Sequence, residues 1–224
     1  DENIISQPAA ALQLVAKEIF RMSDQVRDIL KKTIELVKNE EVKSIDGLKE
    51  NGEQVERLGK CITEYLAALF SSGSLTEQQA AQTASLMCVL SDVERMGTLS
   101  VEMAECMLER SDRKYKYTPE AMDELQKSLK VLNKMFCDSL KALQGDDGIE
   151  PGKMMKRKDK LLDLDIKMRK AHIERVNKGK CKASLTAPFT NILHLIDRMG
   201  NSCINLADVA ESGTSMKYFM LEEK

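Results

Sequence analysis

The residues of this chain with most capacity for chemistry lie in two short runs that repeat one another. Ser91-Asp92-Val93-Glu94-Arg95-Met96-Gly97-Thr98 aligns with His194-Leu195-Ile196-Asp197-Arg198-Met199-Gly200-Asn201, 103 residues further on, and Ala104-Glu105 aligns with Ala207-Asp208 in the same register. Each run places a carboxylate, Glu94 or Asp197, directly before an arginine and three residues before a glycine. The plainest role for that pattern is structural. The charged pairs Glu94-Arg95 and Asp197-Arg198 would form ion pairs with neighbouring helices, while Gly97 and Gly200 let those neighbours approach closely. Partly buried pairs of this kind fix register more than they stabilise. The alternative is weak cation binding, since a carboxylate is a hard oxygen ligand.

Other reactive side chains are sparse. The two histidines, His172 and His194, are isolated, with no His or Cys three or four residues away and no Glu-x-x-His pattern of the di-iron bundle type. His194 lies in an apolar run and is expected to be a hydrogen-bonded core residue. Neither phosphate-cradling motif, G-x-x-x-x-G-K-[ST] or G-x-G-x-x-G, occurs. Cys61, Cys88, Cys106, Cys137, Cys181 and Cys203 are scattered without a C-x-x-C pair. Most sit among Leu, Met and Val, where a thiol behaves as a small hydrophobe, so a reducing, cytoplasmic setting is expected. With 34 basic against 36 acidic residues, the chain lacks the cationic excess that nucleic-acid binding needs.

The elements that must carry these residues are helical. The 224 residues are 42% hydrophobic with 11 Gly and 4 Pro, enough to bury a core and too few turn formers for a sandwich or barrel. No stretch reaches the roughly 18 uninterrupted apolar residues of a membrane span. Leu12, Val15, Ile19, Met22, Val26, Ile29, Thr33 and Leu36 step by 3 and 4, which predicts one long helix with a bundle seam and a single polar slot. A second series runs from Ile45 to Leu69 and carries Gly47, Gly52 and Gly59, which weaken its first half. Ser71-Ser72-Gly73-Ser74 breaks it, and Ser74 with Glu77 is expected to make the capping box of a third helix ending near Arg110.

A polar connection, Ser111 to Tyr117, separates this trio from a second one. Thr118-Pro119 caps a fourth helix with the seam Met122, Leu125, Leu129, Leu132, Phe136, Leu140, Leu143. A turn from Gly145 to Gly152 leads to a fifth helix ending at Asn177, and a sixth is expected from about Ala187 to Ser212 with Gly213 placed to end it. The reading is an all-α protein of two repeated antiparallel three-helix units, residues 12–110 and 118–213, flanked by segments 1–11 and 214–224.

Two further features stand outside that frame. Between Lys153 and Lys170 eight cations face three aspartates, which reads either as a solvated helix face or as a contact with anionic lipid headgroups. Met22, Met87, Met96, Met103, Met154, Met155 and Met199 fit helical seams and are expected to fill the core.

The paired acidic-Arg-Met-Gly runs, each in the last helix of a trio, resemble the signature repeats of the PhoU family, and Cys203-Ile204-Asn205-Leu206-Ala207-Asp208 resembles its "-NIAE" ending. The resemblance covers about residues 15–212. The leading Asp1-to-Leu12 segment resembles the junction behind the membrane region of sodium/phosphate symporters, whose C-terminal domains are PhoU-like; segment 1–11 would then be a linker from an upstream membrane region. The resemblance implies regulation without catalysis, and several partners: the membrane symporter region of the same chain at the cytoplasmic face of the membrane, a second copy as a homodimer, or, for a free-standing phosphate-uptake regulator, a separate transporter. It also implies a metal question. PhoU-like proteins often hold iron or another divalent metal through E(D)-x-x-x-D, where carboxylates at i and i+4 share a helix face. Glu94 and Asp197 keep the first position, but Thr98 and Asn201 replace the second, removing one negative charge from each site. A carboxylate-metal bundle is the remaining alternative on this reading.

Overall fold

A computed structural model describes residues 7–39, 44–111, 116–145 and 152–212. The linker expected over residues 1–11, the connection at 111–117 and the turn at 145–152 therefore lie largely outside the described residues, and Gly213 and the tail 214–224 lie wholly outside them. The helices are α1 (Pro8–Asn39), α2 (Asp46–Ser71), α3 (Glu77–Ser111), α4 (Pro119–Leu143), α5 (Lys153–Asn177) and α6 (Thr186–Glu211), with one 3-10 turn, Ala183–Leu185, ahead of α6. No strand occurs among the described residues.

Sequence explains most of the helix ends. Pro8 opens α1 where its missing N–H costs nothing, four residues before the expected start. The Thr118 hydroxyl accepts from the Ala121 N–H ahead of α4, with Pro119 in its first turn. The start of α3 corrects the expectation: Thr76, not Ser74, is the cap. The Gln79 N–H donates to the Thr76 hydroxyl at 3.2 Å, and the Thr76 N–H donates to the Gln79 side-chain oxygen at 3.0 Å. Ser74 instead shares a hydrogen bond with Ser72, beyond the reach of the helix. Gly73 and Gly179 turn the chain with φ of +68° and +69°.

Helix α2 is unbroken through its three glycines, because two of them serve packing. A Cβ on Gly52 would lie 3.0 Å from the Val101 side chain, and one on Gly59 would lie inside the Glu94 carboxylate. Each trio closes on itself, α1 with α2 and α3, and α4 with α5 and α6; the trios join through α1 against α4 and α3 against α6. In both junctions a helix of the first trio meets the helix at the same place in the second. The core is aliphatic and methionine-rich around Phe136 and Phe189. The polar slot at Thr33 is buried, and its hydroxyl donates to the Ser100 carbonyl at 3.1 Å, so the slot is satisfied across α1 and α3.

Burial corrects two expectations. Met22, Met96, Met103, Met154 and Met199 are core, but Met87 and Met155 are exposed. His194 is exposed too, because it shares the outer stripe of α6 with Asn191, Arg198, Asn201 and Asn205 while Ile192, Leu193, Leu195 and Ile196 turn inward. The buried histidine is His172, stacked on Phe189 with ring centroids 4.7 Å apart and hydrogen-bonded to the Thr186 hydroxyl at 3.0 Å. Burial, with the nearby Arg175 cation, holds its imidazole below the usual range.

Candidate functional site

The two helices that carry the signature runs, α3 and α6, pack against each other. Met96 and Met199 are fully buried where α3 crosses α6, and the Ser100 hydroxyl, which donates to the Met96 carbonyl at 2.6 Å, lies 3.7 Å from the Met199 sulfur. Asn205 donates to the Asp92 carboxylate at 3.2 Å, and Arg198 reaches Glu102 at 3.8 Å. Positions rising along α3 thus meet positions falling along α6, so these helices run antiparallel and tie the two units together.

The carboxylates do not meet there. Each turns to the middle helix of its own unit, and the two surroundings differ. On α6, Asp197 faces α5, where Lys158 is mostly buried and its ammonium donates to the Asp197 carboxylate and, at 3.0 Å, to the Asp197 main-chain carbonyl. The Lys158 stem passes Gly200, where an added Cβ would lie 3.3 Å from its Cδ. The interhelical ion pair expected for the second run therefore exists, with Lys158 as partner of Asp197 and Glu102 as partner of Arg198.

Glu94 on α3 lies against the bare backbone of Gly59 on α2. It has no ion-pair partner among the described residues, and Arg95 is exposed. Burial, with a contribution from the negative charge of Glu56, holds its carboxyl above the usual carboxylate range. The ion pair expected at this position does not form, because α2 offers a glycine where α5 offers a lysine. Beside Glu94 opens a cleft of about 540 Å³ lined by Glu56, Lys60, Thr63 and Glu64 of α2 and by Thr98. Sequence reasoning passed over these α2 residues and Lys158. A glycine in mid-helix at position 59 was the available signal, since helix interiors exclude glycine unless a neighbour needs the space.

The donor chemistry does not fit a carboxylate-bound metal. Lys158 already neutralises Asp197 and would repel a cation. Thr98 faces the first cleft with a neutral hydroxyl, and Asn201 is exposed. No three His, Cys, Asp or Glu side chains converge as ligands among the described residues.

Fold and site together define an all-helical bundle of two three-helix units in which Asp197 and Arg198 of the second run tie α6 to α5 and α3. Residues 19–107 match the model of the PhoU domain. The chain is 24% identical over 209 residues to the phosphate-specific transport system accessory protein PhoU homolog 1 of Thermotoga maritima, spanning 92% of this chain and 88% of that protein. The crystal structure of PhoU from Pseudomonas aeruginosa has the same fold, with a TM-score of 0.81 over 90% of this chain and 95% of that one, at 14% identity. The matched residues lie within the first three-helix unit, α1 to α3. No helix among the described residues is long and apolar enough to cross a membrane.

Proposed function

We propose that this chain is a regulator of phosphate uptake that works by docking and conformational coupling, and that it is the PhoU-like cytoplasmic domain of a sodium-dependent phosphate symporter. The observation that carries the regulatory reading is that similarity to a phosphate-transport accessory protein runs through both three-helix units. The resemblance of the Asp1-to-Leu12 segment to a symporter junction supports the fused form. The antiparallel α3 and α6 supply a relay: a shift of one unit acts on the other through Asp92, Ser100 and Glu102 against Asn205, Met199 and Arg198. Such a relay needs no bond-making residue, in keeping with a role outside catalysis.

A free-standing regulator that docks on a separate transporter is the second reading, favoured by the 88% of the Thermotoga protein that the chain spans. Expression of residues 1–224 with the host's phosphate transporters, followed by detergent co-purification, tests both. Recovery of a sodium/phosphate symporter membrane region supports the first reading, and recovery of a different phosphate transporter supports the second. Recovery of neither from cells that contain both overturns the docking role.

A further inference from the structure

The outer face of α5 combines two properties that the fold leaves unused. Among the described residues α5 packs mainly on α4 and α6. On its free side Met155, Leu162, Ile166 and Ile173 are 52%, 51%, 58% and 57% exposed, although all four are large and apolar. Their spacing of seven, four and seven residues keeps them in one stripe about 27 Å long at 1.5 Å per residue. Buried Met154, Leu161, Met168 and His172 form a separate stripe facing the bundle, so the exposed line is no extension of the core.

Cations flank the stripe. Lys153, Lys156, Lys160, Lys167 and Lys170 are exposed and make no ion pair among the described residues. Asp159 and Asp163 are the unpaired acids on the same side; Asp165 is taken by Arg169, and Glu174 reaches Lys178. The arginines of this helix are spent internally, Arg157 on Asp138, Arg169 on Asp165 and Arg175 on Glu124. What remains free is flexible lysine, whose stem lies along apolar surface while its ammonium reaches outward.

We infer that α5 lies on the surface of an anionic lipid bilayer, with its aliphatic stripe at the boundary between headgroups and acyl chains and its lysines among the headgroups. Charge selects this occupant over a second copy. An isologous pairing of two α5 faces would bring five free lysines of one chain against five of the other. The inference rests on α5 alone and stands apart from the proposed role in phosphate uptake.

Co-sedimentation of the whole chain with vesicles tests it, one set of phosphatidylcholine alone and one of phosphatidylcholine with phosphatidylglycerol at about 7:3, a content chosen to give a negative surface potential. Binding is expected only to the anionic set and should weaken as salt rises. Each Lys→Glu change at Lys156, Lys160, Lys167 or Lys170 is expected to weaken binding about fivefold or more. Leu162→Asp with Ile166→Asp should weaken it at least about tenfold, while Lys32→Glu on α1 leaves it unchanged. These side chains are exposed, and matched circular dichroism and unfolding midpoints confirm that the variants fold. Absence of binding overturns the inference, as does equal binding to both vesicle sets. So does a loss in the lysine variants with none in the Leu162 and Ile166 variant, or dimerisation by sedimentation that Ile166→Asp abolishes.

Discussion

Lys158 of α5 donates from one ammonium to two acceptors on a single residue of α6, the carboxylate and the main-chain carbonyl of Asp197. The corresponding acid of the first unit, Glu94, has Gly59 in front of it instead. The two runs thus differ at their acidic position: one carries a built-in counter-cation, and the other holds a half-buried carboxyl that makes no ion pair among the described residues.

The Lys158–Asp197 pair should couple in a double-mutant cycle. Lys158→Met retains the stem that packs on Gly200 and removes the charge, and is expected to cost about 1 kcal/mol, as is Asp197→Asn, with the double variant costing little more than either. Urea unfolding checks this, and losses that simply add would contradict it. Calorimetric titration with manganese should show no saturating uptake that Asp197→Ala abolishes; stoichiometric uptake lost in that variant would contradict the lysine-for-metal account.

Two glycines of α2 should respond oppositely to alanine. Gly47 has open space around its added Cβ, so Gly47→Ala is expected to stabilise by about 0.5–1 kcal/mol. At Gly59 the new methyl would displace the Glu94 side chain, and a net loss of about 1–2 kcal/mol is expected. Adding Glu94→Ala to Gly59→Ala should recover most of that loss in thermal or urea unfolding. If Gly59→Ala stabilises as much as Gly47→Ala, the close approach of α2 and α3 is wrong.

Glu94 also gives a pH signature. Its carboxyl titrates above the usual carboxylate range in the folded chain, so the folded state binds more protons than the unfolded one as that group titrates. Its contribution to stability is therefore full below the unfolded pKa and lost as pH rises through the folded one. Glu94→Gln should be more stable than the parent at pH 7, by about 0.5 kcal/mol, and the advantage should vanish near pH 4. Unfolding midpoints across that window decide the matter, and a gain that grew on acidification would reverse the sign.

The cap of α3 separates two neighbouring hydroxyls. Thr76→Ala removes an acceptor from the first turn and should cost about 1 kcal/mol, while Ser74→Ala should cost almost nothing. Equal losses in urea unfolding would return the cap to Ser74.

These residues also mark what the sequence makes legible. Periodicity places the six helices because a buried stripe must recur every 3.6 residues whatever it packs against. The repeat at 91–98 and 194–201 identifies the two units and their last helices. Partners are harder, because they depend on which helix lies opposite. Glu94 and Asp197 read alike in the chain, and only the facing residue, Gly59 or Lys158, sets them apart. His194 misleads for a related reason: an apolar run surrounds it, yet at 100° per residue one position in such a run points outward. The α5 stripe is half legible in the chain: its lysines stand out as a charge run, while Leu162, Ile166 and Ile173 gain meaning only once the opposite face is seen to be buried.

The proposed role of the bundle is control of phosphate uptake without catalysis. The decisive measurement is the initial rate of radiolabelled phosphate uptake in cells carrying the whole protein or the same protein lacking residues 8–211, at equal cellular levels. The account predicts that removal of the helices abolishes the dependence of uptake on phosphate status. Uptake that still depends on phosphate status, to the same extent, in cells carrying the truncated protein would contradict it.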